Sequence, residues 1–359
     1  MEDSVKAWGN LALDRLRILH KRLNQNQLVQ SALAIAGIPI RSTQKRMARY
    51  RQSRLAGAFH RDVLVDVNGN IGSTSSQKKP DPPVNQWIRD HHREQFRSDG
   101  YMVVRNVVPP SLVANAAREI AAFVGADLAD RTTWYRAVGW GLDGIVPMHH
   151  AQSLWDLRQD PRLYQVFSEF FRTERLRVDM NRCIFRPPVH RRFPKISRGT
   201  IHWDTDPRGP RPASLQGVVL LSDVCRGGGG FQCLPDVFRN LDAWLKRYAR
   251  RGDFDFFYPG LDDWTTTQVE GKAGDVILWS TKLPHGSAIN LTDRPRIAAF
   301  VSMQPCGDNA QLRESMRTCW LTKRAPEYWR GLPGQLDPEP GPPAVLSDLG
   351  RKLIGISSW

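Results

Sequence analysis

Cysteine is scarce in this 359-residue chain: Cys183, Cys225, Cys233, Cys306 and Cys319 are all it has. An odd number without a C-x-x-C pair excludes a disulfide framework and a cysteine-rich zinc site, and it suits a reducing compartment. A cytoplasmic location is the expectation. Long apolar runs are missing too. Nothing approaches the roughly 20 apolar residues that a bilayer span requires, and the most apolar early stretch, 28–40, is broken by Gln30 and Ser31. Glu2 and Asp3 speak against a transit peptide, and the charges between Asp14 and Arg22 against a secretory leader. Acidic residues are in deficit: 36 Asp and Glu face 51 Lys and Arg, a net charge of +15. Spread over a whole surface, that charge would suit nucleic acid or an anionic membrane. It is not spread evenly. Residues 1–80 hold fourteen Lys or Arg against five Asp or Glu, a surplus of nine, so no nucleic-acid partner is expected of the rest.

What the chain does have divides it into three. Residues 1–83 read as a basic extension. Within them Leu11, Leu13, Leu16, Leu19 and Leu23 alternate with Arg15, Arg17, Lys21 and Arg22, the pattern of a basic amphipathic helix over 8–28. Two roles stay open for that helix: packing on the rest of the protein, or peripheral contact with a membrane. A Gly/Ser/Pro-rich linker over 69–83 closes the extension. Residues 84–330 read as the main domain and 331–359 as a Pro/Gly-rich tail. In the main domain, helices are expected over 111–125 and 153–171, the second interrupted near Pro161. Short apolar or alternating segments follow at 176–185, 216–221, 265–270, 275–279 and 296–303, divided by Gly, Pro and Asp. A basic helical insert is expected over 236–251 and further helix over 309–329. The fold class is mixed α and β with a mainly β core, a double-stranded β-helix (jelly roll) with supporting helices.

The chemistry concentrates in His202-Trp203-Asp204 and, far downstream, Pro284-His285-Gly286-Ser287. On extended backbone, alternate side chains share a face, so His202 and Asp204 converge while Trp203 turns away. Two imidazoles and one carboxylate make a facial triad, which holds a non-haem Fe(II) and leaves the opposite positions open. His285 follows an apolar strand and supplies the third ligand. Arg296 lies eleven residues beyond it; a guanidinium grips a carboxylate through two bonds, and Ser287 can add a hydroxyl. Arg294 is set aside as a rim charge, because Pro295 marks the start of the strand. The neighbouring pairs His91-His92 and His149-His150 do not chelate easily, since adjacent side chains on a strand point apart.

These residues resemble the phytanoyl-CoA hydroxylase family of Fe(II)/2-oxoglutarate oxygenases. Three stretches besides the ligands carry the likeness: Asn181-Arg-Cys-Ile-Phe-Arg-Pro-Pro188, the Gly-rich turn over 227–235, and Gly271-Lys-Ala-Gly-Asp-Val-Ile-Leu-Trp279 leading to His285 and Asn290. The resemblance covers roughly 95–305. It implies His202, Asp204 and His285 as iron ligands, Arg296 as the anchor of 2-oxoglutarate, Ser287 beside it, and Arg186 where relatives often carry a lysine near the cosubstrate. Two departures stand out: residues 236–240 lack the family's Gly-x-His, and no tryptophan falls between Gln216 and Asp223. The second argues against a CoA-thioester substrate.

The implied activity is that of a dioxygenase that consumes O2 and 2-oxoglutarate, releases succinate and CO2, and hydroxylates a C–H bond of a small-molecule or lipid-like substrate. Halogenating relatives carry Gly or Ala where this chain has Asp204, which favours hydroxylation. Trp134, Tyr135, Trp140, Arg208, Arg211 and Gln216 are candidate pocket or rim residues. Two other readings share the pattern. One is a non-catalytic jelly-roll binding protein, marked by bound iron without succinate release; the other is a nucleic-acid dealkylase, marked by salt-sensitive DNA or RNA binding by residues 84–359.

Overall fold

The computed structural model describes residues 86–136, 144–191, 200–209, 214–248, 254–257, 259–261, 264–307, 310–326 and 342–359. The expected helix over 8–28 and linker over 69–83 lie outside the described residues, as do Trp140 and Arg211. The helices are α1 (Asp90–Asp99), α2 (Pro110–Phe123), α3 (Gln152–Arg158), α4 (Pro161–Phe171), α5 (Pro235–Arg239), α6 (Leu241–Tyr248), α7 (Ala310–Thr322) and α8 (Asp348–Leu353). The strands are β1 (Tyr101–Val104), β2 (Ile145–Val146), β3 (Leu176–Val178), β4 (Cys183–Arg186), β5 (Leu215–Leu220), β6 (Phe231–Cys233), β7 (Thr267–Gln268), β8 (Val276–Ser280), β9 (His285–Ser287), β10 (Arg296–Val301) and β11 (Met303–Pro305).

A six-stranded antiparallel sheet runs in the order β1-β8-β5-β10-β4-β2, and a three-stranded one in the order β7-β6-β9. The period-two rule explains how the large sheet serves two cores. Ile184, Val218, Leu220, Ile277, Trp279 and Ala298 join Phe231 and Cys233 of the small sheet in one apolar cluster. Their neighbours Cys183, Phe185, Val219, Leu278, Ile297 and Ala299 face the other way, among α2, α3 and α4. Because both faces are covered, β8 and β10 read as nearly continuous apolar runs.

Local chemistry sets the helix boundaries. Pro110 starts α2 at its first turn, where a missing N–H costs nothing. The expected interruption near Pro161 is a true break. There α3 ends at Arg158, and Asp160 caps α4 by accepting from the backbone N–H of Arg162 and Leu163. The basic insert forms two short helices, α5 and α6, instead of one. The Pro/Gly-rich tail ends in ordered structure: Ser347 caps α8, Leu353 and Ile354 are buried, and Trp359 stacks on Tyr164 at 5.7 Å. No helix among the described residues is long and apolar enough to cross a membrane.

Candidate metal centre

His202 and His285 are 83 positions apart in sequence yet directly opposite in space. Each donates its backbone N–H to the other's carbonyl, at 2.9 and 3.0 Å, in an isolated antiparallel bridge. The segment around His202 is not a full strand; this single bridge pairs it with His285. The rings lie 5.0 Å apart. Asp204 completes the group: its Oδ1 is 3.5 Å from His202 Nε2 and its Oδ2 is 3.6 Å from His285 Nε2. All three donor atoms fall within 4.8 Å of one another.

The imidazoles are held in a ligand-ready tautomer. His202 Nδ1 lies 2.7 Å from Thr200 O, and His285 Nδ1 lies 3.0 Å from Leu283 O. A carbonyl can only accept, so each Nδ1 carries the proton and each Nε2 turns its lone pair toward Asp204. Burial raises the Asp204 pKa, but hydrogen bonds and charge from His202 and His285 in their protonated form outweigh it and hold the carboxyl well below the usual range; in the neutral form their Nε2 lone pairs are free for a metal. Two nitrogens and one anionic oxygen at this spacing fit a ferrous ion and leave its remaining positions clear.

Trp203 points away from the donors, as the alternation requires. It is fully buried beside Trp244 and Phe254, with its Nε1 donating to Lys282 O at 2.8 Å. Lys282 in turn donates through Nζ to Pro207 O and Gly209 O, both at 2.8 Å, tying down the loop that follows Asp204. Phe231 and Trp279 enclose the His285 ring at 5.7 and 5.1 Å.

The second half of the site follows from strand parity. Arg296 and Arg186 occupy the same inward face of the large sheet as Ala298 and Ile184, and they are register partners across β10 and β4. On β9, Ser287 shares a face with His285, two residues away. Arg296 donates through one terminal nitrogen to Ser287 Oγ at 3.1 Å and to Gly229 O at 3.0 Å, while its Nε is buried and has no hydrogen-bond partner. Burial, and then the nearby Arg186 charge, push the Arg296 pKa down to about 9. Arg186 is 1 % exposed and donates to Ala288 O at 3.2 Å. Two buried guanidiniums side by side, one with an unused N–H, fit an anionic group of a ligand. The Gly-rich turn makes room for them: a Cβ on Gly229, whose φ is +73°, would stand 3.1 Å from Arg186 Cδ.

The other candidates divide. Trp134 is buried and donates to Asp127 O, Tyr135 donates to Pro188 O, and Arg208 pairs with Asp206 beneath Phe254. His149 is buried in the structural core, with its Nε2 2.9 Å from Lys323 O, and the His150 ring lies 6.1 Å from that of Phe123. Gln216, read from sequence as a pocket or rim residue, donates to Asp204 Oδ2 at 2.6 Å. Its parity with Val218 and Leu220 was the signal that it faces inward. Lys282 carried no such signal, because its partners are backbone carbonyls.

Comparison with known proteins agrees with this geometry. The sequence model of the phytanoyl-CoA dioxygenase (PhyH) family matches residues 96–298, more than half of the chain. A Dictyostelium discoideum protein provisionally described as a phytanoyl-CoA dioxygenase is 23% identical over 262 residues, covering 59% of this chain and 74% of its own. The Ava biosynthesis cluster protein O of Aspergillus versicolor is 23% identical over 238 residues, covering 59% and 77%. Among solved structures, GlcNAc Inducible Gene 2 (GIG2) of Candida albicans shares the fold at a TM-score of 0.54 and 13% identity, over 74% of this chain and 76% of its own. The chain belongs to the phytanoyl-CoA dioxygenase family, and it is a dioxygenase of the kind that works with iron and 2-oxoglutarate.

Proposed function

We propose that this protein hydroxylates a C–H bond of a small-molecule or lipid-like substrate, with His202, Asp204 and His285 holding Fe(II) and Arg296 anchoring 2-oxoglutarate. The observation that carries the reading is the convergence of two Nδ1-protonated imidazoles and one carboxylate within 4.8 Å. Ser287 lies one alternation beyond His285 on the same face of β9 and accepts from the buried Arg296 of β10. The two antiparallel sheets around a shared core support a double-stranded β-helix.

When bound, iron and 2-oxoglutarate together supply the oxidation of a C–H bond, with release of succinate and CO2. The chain's own residues arrange it. His202 and His285 offer neutral nitrogen donors, and Asp204 offers charge. Arg296, with Ser287 and the adjacent Arg186, would hold and neutralise the far carboxylate of the cosubstrate. Phe231 and Trp279 keep the His285 side apolar and limit water there. A carboxylate at position 204 fills the place a halide would need, which supports hydroxylation over halogenation.

Anaerobic titration of the apoprotein with Fe(II) and 2-oxoglutarate tests the assignment. A weak visible charge-transfer band is expected for the wild type and none for His285→Ala or Asp204→Ala. A normal band in either variant removes the triad. Succinate release across a panel of small molecules and lipids then addresses the substrate.

A further inference from the structure

We propose that Gln216 is a positioning residue of the metal centre, holding one oxygen of Asp204 so that the carboxylate presents only Oδ1 to the ion. The inference rests on the metal-site reading above and adds a residue to it. Gln216 lies on β5 with the parity of Val218 and Leu220, so its side chain enters the space between the sheets. Nε2 donates to Asp204 Oδ2 at 2.6 Å, and a carboxylate facing two imidazoles can only accept, which fixes the amide's orientation. The other end, Oε1, is then buried and has no hydrogen-bond partner. A packing role alone would be filled by Met, which has the same reach and no orphaned carbonyl. The cost at Oε1 is offset by the bond its N–H makes to the Asp204 carboxylate.

The consequence concerns the number of positions the protein occupies on the metal. Both oxygens of Asp204 face an imidazole nitrogen, Oδ1 toward His202 and Oδ2 toward His285. An unrestrained carboxylate in that place can turn and engage through both oxygens, taking a position that a two-point cosubstrate needs. With Oδ2 committed to Gln216, Asp204 is a single-point ligand. Hydrogen-bond partners of this kind orient ligands, and their loss lowers metal affinity by roughly 10- to 100-fold.

The test uses the full chain stripped of metal and titrated with Co(II) by calorimetry, with and without 2-oxoglutarate. Gln216→Met is expected to raise the Co(II) Kd by about 10-fold or more, and to weaken 2-oxoglutarate binding to the cobalt protein, while the metal-free variant still unfolds in one cooperative transition. Gln216→Asn keeps the amide but withdraws it by one carbon, so it should show the same loss; it also decides the matter if the Met variant does not fold. His202→Ala separates the two readings. If it binds cobalt as the wild type does, the metal site itself is wrong. If it loses cobalt while both Gln216 variants stay within twofold of wild type, only the role of Gln216 is overturned.

Discussion

Arg186 and Arg296 stand directly opposite each other on β4 and β10, two buried cations on one face of the sheet. Their proximity helps lower the Arg296 pKa to about 9, second to burial itself, and an anion between them would relieve the repulsion. Only Arg296 also bonds Ser287 on the strand that carries His285. Arg296→Met should therefore cost the metal-loaded protein about 1.5–3 kcal/mol of 2-oxoglutarate binding, roughly 10- to 150-fold in Kd. Arg186→Met should cost less than Arg296→Met and should raise the thermal midpoint of the ligand-free protein. Calorimetric titration of both variants checks this, and a larger loss at Arg186 would exchange their roles.

Gly229 sits where these two arginines are brought together. Its φ of +73° is unfavourable for an L side chain, and an added Cβ would meet Asn290 Cβ at 2.8 Å and Arg186 Cδ at 3.1 Å. Gly229→Ala should destabilise the protein by about 1–3 kcal/mol and weaken 2-oxoglutarate binding through displaced Arg186. Chemical denaturation with a parallel titration would read both effects. Unchanged cosubstrate affinity would mean that the turn serves folding alone.

Much of this site could be read from sequence because its essential signals are local. The H-x-D spacing fixes two side chains on one face, and the Arg186 and Arg296 parities follow from their strands. The pairing of His202 with His285 was less accessible, since 82 intervening residues must return the chain to one bridge. The apolar strand and tight turn before His285 made it the candidate, and the resemblance gave it the same place. The short strand Tyr101–Val104 at the sheet edge was missed because four residues are too few to show a period. The helix Asp348–Leu353 was hidden by the Pro- and Gly-rich stretch before it, although Ser347 and Asp348 form an ordinary helix start. Lys282 was invisible for a different reason: a lysine in sequence implies solvent, and only the fold delivers two carbonyls to its ammonium.

That lysine joins the two halves of the centre. Its backbone carbonyl accepts from Trp203, between His202 and Asp204, and its Nζ holds the loop at 207–209. Lys282→Met keeps the buried stem but strips two carbonyls of a charged donor, which should cost about 1.5–3 kcal/mol of stability. Amide exchange over 205–209 should quicken while exchange in β8 changes little. Uniform quickening across the domain would show a general loss of stability instead of a released loop.

His149 gives the fold a measurable response to acid. It is fully buried beneath Lys323, and burial, then the neighbouring Arg158 charge, push its pKa from 6.5 down to about 4. The unfolded chain takes up a proton near pH 6.5, whereas the folded one resists until about pH 4. Across that interval the unfolded state binds more protons, so stability falls as pH falls, by up to about 3 kcal/mol from this group. Above pH 6.5 neither state is protonated and the contribution is flat. His92, lowered to about 4 chiefly by burial, adds to the same slope, so His149→Gln should reduce it without abolishing it. Urea unfolding of both proteins at steps between pH 7.5 and 4.5 measures the difference. Parallel curves for wild type and His149→Gln would mean that His149 takes up its proton in the folded protein as readily as in the unfolded chain, with its hydrogen-bond partners arranged to receive the charge.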